Sequence, residues 1–110
     1  MSYGGEERRQ FARIPLSARV TVMDGGNTVY LFTKDLSFGG AGLISDTPLA
    51  IGTAVMLEFS IEGVSRLVKV EGKVVRHFST PEKGFGVRFT AFKSHSKKRL
   101  QKAIKGIRLI

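Results

Sequence analysis

From Leu16 to Val22 the chain reads LSARVTV. Leu16, Ala18, Val20 and Val22 fall on one side of an extended chain, and Ser17, Arg19 and Thr21 on the other. Strand side chains alternate between two faces, so this pattern predicts a half-buried β-strand. DGGN (24–27) carries residues that tolerate positive φ and predicts a turn. TVYLFTKDL (28–36) is rich in β-branched and aromatic residues and predicts the return strand. AGLIS predicts a short strand, and DTPLAIGT (46–53), marked by Pro48 and Gly52, a loop. AVMLEFSI and SRLVKVEGKVVRHF predict strands joined by a hairpin at Glu62–Gly63, and GFGVRFTAF a last strand. By the same alternation Phe32 and Phe89 are expected in the core. After Phe92 the period changes. Leu100, Ala103, Ile104 and Ile107 fall at i, i+3, i+4 and i+7, a helical stripe with lysines and arginines opposite it, and Ser94 or Ser96 is the expected cap.

About six short strands followed by one helix predict a mostly-β fold, a small six-stranded antiparallel barrel or sandwich. The helix is expected to cover an open end or edge. With 110 residues the chain fits one domain. The expected organisation is a loose segment at 1–7, an arm at 8–15, a barrel at 16–91 and a helix at 94–108. The chain has no cysteine, which excludes disulfides, thiolate metal sites and cysteine nucleophiles. His77 and His95 have no second histidine or carboxylate at metal-ligand spacing. They are read as a strand-end residue and an exposed helix residue, so no metal is expected. Ser37 lacks an evident base, and neither a P-loop nor a hydrolytic acid pair is present, so an enzyme is not expected. The opening MSYGGEERRQF lacks the apolar run of a secretion signal. No apolar run approaches the ~20 residues that span a bilayer. The expectation is a soluble cytoplasmic protein without membrane insertion.

The formal net charge is +9, which points to an anionic partner. Its distribution narrows the choice. Lys93, Lys97, Lys98, Arg99, Lys102, Lys105 and Arg108 follow Phe92 with no acid among them, leaving 11 basic against 9 acidic residues before them. A protein that coats nucleic acid spreads basic surface over the fold. The uneven pattern favours a small anionic ligand at one end, so no nucleic-acid polymer is expected. The tail's basic face is read as solvated, its apolar stripe packing on the barrel or a second subunit.

Within the balanced body, Arg8, Arg9 and Arg13 of RRQFAR form the densest basic cluster. Arg9 and Arg13 are four apart and share a face in an extended chain as in a helical turn. Pro15 disfavours helix at Ile14, so an extended arm is preferred. A guanidinium meets a phosphate or the O6/N7 edge of guanine with two hydrogen bonds and stacks on an aromatic ring. The alternative is a solvated basic terminus. DLSFGG (35–40) supplies Asp35, Ser37, Gly39 and Gly40. On a strand Asp35 and Ser37 would point to the same side, where a carboxylate accepts from guanine N1–H and N2–H₂ and a hydroxyl donates or accepts. The glycines let the backbone bend and approach a ligand closely. The alternative is a side-chain-stabilised turn with a glycine bulge.

Together, R-x-x-x-R (Arg9, Arg13) followed after about twenty residues by D-x-S-x-x-G (Asp35, Ser37, Gly40) resembles the PilZ domain family. GKVVR and GFGVRF resemble its closing strands. The resemblance runs from about Glu7 to the C-terminal helix. It implies a receptor for cyclic di-GMP on a six-stranded barrel, with no cofactor beyond that ligand. By the family pattern Arg9 and Arg13 hold phosphate and guanine, Asp35, Ser37 and Gly40 line the other side of a guanine, and Arg8 goes with binding a stacked pair of ligand molecules. The arm is expected to be mobile when empty and to fold over the ligand. The changed surface would then be offered to a downstream protein of motility, secretion or polysaccharide machinery, by a monomer or homodimer. Two other readings remain at this stage. One is a small basic barrel that stacks single-stranded nucleic acid on Phe11, Tyr30, Phe32, Phe38 or Phe89. The other is a structural adaptor without ligand.

Overall fold

The computed structural model describes residues 14, 15 and 17–109, with side chains described from 17 to 105. Arg8, Arg9 and Arg13, and with them all of the predicted arm (8–15) except Ile14 and Pro15, lie outside the described residues. So does the predicted loose segment at 1–7.

Strands β1 (Ile14–Pro15) and β2 (Arg19–Asp24) both pair antiparallel with β3 (Asn27–Leu36). Pro15 faces Asp35 and Arg19 faces Phe32, so the incoming chain uses one residue more than β3 between those points. That extra residue is a bulge. There the Ala18 N–H donates to Thr33 Oγ1 at 2.8 Å, and the Thr33 N–H donates to the Ala18 carbonyl at 2.9 Å. The predicted DGGN turn is present, with Gly25 at φ 60°. β4 (Gly40–Ile44), β5 (Ala54–Ser60), β6 (Val68–Phe78) and β7 (Gly84–Phe92) follow. The sheet runs β3-β2-β5-β6-β7-β4, and β4 pairs back on β3. The result is the expected six-stranded antiparallel barrel, with β1 a short extension beside β3. Closure leaves no long free edge among these six strands.

Alternation fills the interior. Val20, Val22, Leu36, Leu43, Leu57, Phe59, Val70, Val74 and Phe85 all turn inward and are buried. Helix α1 (Ser96–Leu109) packs against β6, with Leu100 and Ala103 buried and Ile104 half-buried. Three residues of the stripe read from the sequence therefore do the packing, and the side chain of the fourth, Ile107, lies outside those described.

Some expectations shift. Phe32 is 52% exposed, not core. The phase of β3 is set by its neighbour Thr33, buried and tied through its hydroxyl to Ala18, so Phe32 falls on the outer face. Phe89 is half-buried and packs edge-on against Phe59, with centroids 5.8 Å apart. Ser96 is buried, and its hydroxyl accepts the Lys69 N–H at 2.7 Å, tying the start of the helix to β6. Ser65 to Leu67 lie outside the strand predicted for them, which begins at Val68.

Candidate functional site

The site grows out of a second bulge. β3 and β4 pair Thr33↔Leu43 and then Asp35↔Gly42, so Lys34 is an extra residue on β3. Strict alternation would place Asp35 on the same face as Thr33. The bulge inverts the phase. Leu36 becomes the next buried residue, and Asp35 turns to the outer face. There Asp35 Oδ1 accepts the Gly42 N–H at 3.0 Å.

Ser37 parts company with Asp35. It is buried, and its hydroxyl is used within its own loop. Ser37 Oγ accepts the N–H of Gly39 at 3.2 Å and of Gly40 at 3.1 Å, and donates to the Gly40 carbonyl at 3.2 Å. The Ser37 N–H donates to the same carbonyl at 2.8 Å. The expectation that Asp35 and Ser37 project to one side is thus corrected. The strand ends at Leu36, and the serine closes a side-chain-stabilised turn. Gly40 is required by close approach, because a Cβ there would strike the Val87 carbonyl oxygen.

The floor is made of glycines. On β4, Ala41 and Leu43 are core, so Gly40 and Gly42 face outward; on β7, Phe85 and Val87 are core, so Gly84 and Gly86 face outward. Gly42 and Gly86 are directly paired. The flanking strands lay side chains across this bare backbone. A Cβ at residue 42 would lie 3.0 Å from Asp35 Oδ1. A Cβ at residue 86 would lie 3.0 Å from Arg76 Cγ and Nε and 3.2 Å from its Cζ. Phe78 covers Gly84 in the same way, its ring Cζ 2.6 Å from where a Cβ would stand. Lys34 Nζ sits 4.6 Å from the centre of the Phe78 ring and Arg76 Cζ 5.5 Å from it. Among the described residues no carboxylate pairs with Lys34 or Arg76.

The result is a shallow trough on the outside of the barrel, its four glycines buried beneath the neighbouring groups that lean over them. An acid flanks it on the β3 side and a guanidinium on the β6 side, and Lys34 and Arg76 sit near the Phe78 ring at one end. A strip whose residues carry no side chains of their own suits a flat ring, a carboxylate accepts from N–H groups, and cations donate to phosphate or carbonyl oxygens. The sequence reading included Asp35, Ser37, Gly39 and Gly40 but missed Lys34, Gly42, Arg76, Phe78, Gly84 and Gly86. The signal was there. GAG (40–42) and GFG (84–86) place glycines two apart, which strips one strand face of side chains. Among the described residues no group of three or more His, Cys, Asp or Glu could hold a metal ion, and no helix is long and apolar enough to cross a membrane. His77 Nε2 lies 2.6 Å from the Leu49 carbonyl, which fits a strand-end residue holding a loop.

The chain thus combines a closed six-stranded barrel with a loop of D-x-S-x-x-G type beside an outer trough. The PilZ domain family model matches residues 7–106, and the chain belongs to that family. No curated protein sequence matches it. Among solved structures it is similar to the inhibitor of motility MotI of Bacillus subtilis, at 18% identity and TM-score 0.75, covering 89% of this chain and 50% of that one. It is also similar to YcgR of Escherichia coli in complex with c-di-GMP, at 20% identity and TM-score 0.74, covering 92% and 46%. The PilZ domain of CeSA from a cellulose-synthesizing bacterium matches at 23% identity and TM-score 0.61, covering 87% and 97%. The chain thus spans about half the length of the MotI and YcgR chains.

Proposed function

We propose that this protein is a receptor for cyclic di-GMP that changes conformation on binding and signals to a partner protein. One observation carries the reading: Asp35 is turned outward beside the bare Gly42–Gly86 floor, on a chain whose preceding segment is R-x-x-x-R. The family membership and the c-di-GMP complex of YcgR support it. Asp35 accepts guanine N1–H and N2–H₂. Ser37 braces the loop whose Gly39 and Gly40 backbone ends the trough. Arg9 and Arg13 bind phosphate and guanine. The register makes this reachable, since Pro15 pairs with Asp35 and Arg13 is two residues earlier in sequence. Arg9 is five residues from Ile14, within ~18 Å of extended chain. Arg8 extends the cluster for a second, stacked ligand molecule.

Ligand phosphates neutralise the arginines, and the arm orders over the trough. Its ordering entropy opposes binding, and the guanine and phosphate contacts exceed that cost. The ordered arm is the surface offered to a downstream protein of motility, secretion or polysaccharide machinery. The chain acts as a cytoplasmic receptor and not as an enzyme.

Calorimetric titration with cyclic di-GMP tests this. Saturable binding, with Arg9→Ala or Arg13→Ala weakening affinity roughly 10- to 100-fold, is the expected result. Absence of heat, or unchanged affinity in both variants, overturns it. Tight single-stranded RNA binding on filters without any dinucleotide binding would favour the stacking-barrel reading, with exposed Tyr30 and Phe32 as its platforms.

A further inference from the structure

We infer that Arg76, outside R-x-x-x-R and D-x-S-x-x-G, is a ligand-contacting and specificity-determining residue that reads the acceptor edge of the guanine whose donor edge Asp35 reads. This rests on the cyclic di-GMP reading above and assigns a further contact within the same site.

Three observations converge on it. First, Arg76 is placed opposite the acid. Asp35 leans over Gly42, Arg76 lies over Gly86, and those two glycines are paired across the β4–β7 ladder. Directly paired residues in such a ladder stand ~5 Å apart, so acid and guanidinium lean over neighbouring glycines, and a flat ring that parts them meets both. Second, the guanidinium is laid down on the sheet. Its Nε and Cζ come within 3.0 and 3.2 Å of where a Gly86 Cβ would be, so any other residue at 86 would lift it. Third, its charge is uncommitted. The side chain is exposed, no carboxylate pairs with it among the described residues, and its Cζ lies 5.5 Å from the centre of the Phe78 ring, to which Lys34 also comes close. A guanidinium held flat with no acid partner among the described residues is primed for acceptors in the plane of the sheet.

Guanine supplies the complement. Its N1–H and N2–H₂ donors lie on one edge, and its O6 and N7 acceptors on the next. A guanidinium fork meets O6 and N7 together, and an ammonium does not. Adenine presents a donor where guanine has O6, so the fork rejects it.

The test uses the full chain, cyclic di-GMP, and the analogue in which guanine N7 is replaced by a carbon. Arg76→Ala is expected to weaken cyclic di-GMP binding at least tenfold while the melting temperature stays within 2 °C, because the side chain is exposed. Arg76→Lys is expected to recover less than half of that loss on a logarithmic scale. Gly86→Ala, which lifts the guanidinium, is expected to weaken binding severalfold with Arg76 intact. The 7-deaza ligand is expected to bind the wild type severalfold more weakly but Arg76→Ala no more weakly than the natural ligand does. Wild-type binding with Arg76→Ala within twofold of it overturns this inference and leaves the receptor reading standing. So does full rescue by Arg76→Lys, or an equal 7-deaza penalty in wild type and Arg76→Ala. No wild-type binding overturns the receptor reading and this inference together.

Discussion

Ser37→Ala isolates what the serine of D-x-S-x-x-G does in this fold. Its hydroxyl accepts two backbone N–H groups, from Gly39 and Gly40, in a residue that is 3% exposed. Alanine removes this one acceptor from both N–H groups. Gly40 is buried, so its N–H is left without a partner, at a cost of about 1–3 kcal/mol. Gly39 is half-buried and turns to water, adding less than about 1 kcal/mol. The Gly40 carbonyl keeps the Ser37 N–H at 2.8 Å and adds little to the loss. The expected destabilisation is about 2–3 kcal/mol, which lowers the melting midpoint on the order of 10 °C in a domain of this size. Thermal melts followed by circular dichroism read it. Ser45→Ala is the internal control. Its hydroxyl accepts the Thr47 N–H at 3.1 Å in an exposed turn, where water substitutes, so its midpoint is expected to move by no more than about 2 °C. If Ser37→Ala melts within 2 °C of the wild type, the serine is not the brace of this loop. Its place in the motif would then need a direct ligand contact.

Two glycine substitutions are expected to separate folding from binding. Gly40→Ala meets the fixed Val87 carbonyl and is expected to destabilise by about 3 kcal/mol, whereas Gly42→Ala meets only the movable Asp35 carboxylate and is expected to act on affinity first; melts paired with titrations check both. Leu100→Ala, at a fully buried position under the helix, is expected to cost about 2–5 kcal/mol in chemical denaturation. Phe32→Ser is expected to change stability by less than about 0.5 kcal/mol in the same assay, and a loss above 2 kcal/mol would return Phe32 to the core.

The barrel was legible because burial writes itself as alternation. LSARVTV, AVMLEFSI and the helical stripe at Leu100 and Ala103 each name their buried face. Phe32 misled for a physical reason. An aromatic residue in a strand fits either face, and the choice was made by Thr33, whose bond to Ala18 no local pattern announces. The same blindness hid the bulge at Lys34, which alone decides that Asp35 looks outward while Leu36 looks in. Arg76 was legible only as the last residue of GKVVR, with no role attached to it. It lies 41 residues from Asp35 in sequence, and its position depends on its strand partner Gly86, which has no side chain to lift it.

The trough itself can be watched directly. A ¹⁵N–¹H correlation spectrum of the labelled protein resolves glycine amides, and three of them, Gly25, Gly52 and Gly63, sit in turns away from the floor. On titration with cyclic di-GMP, the account predicts the largest shifts at Gly39, Gly40, Gly42 and Gly86, with those three turn glycines unmoved. Saturable shifts confined to the β2–β3 hairpin, or a trough that stays silent while ligand binds, would contradict it.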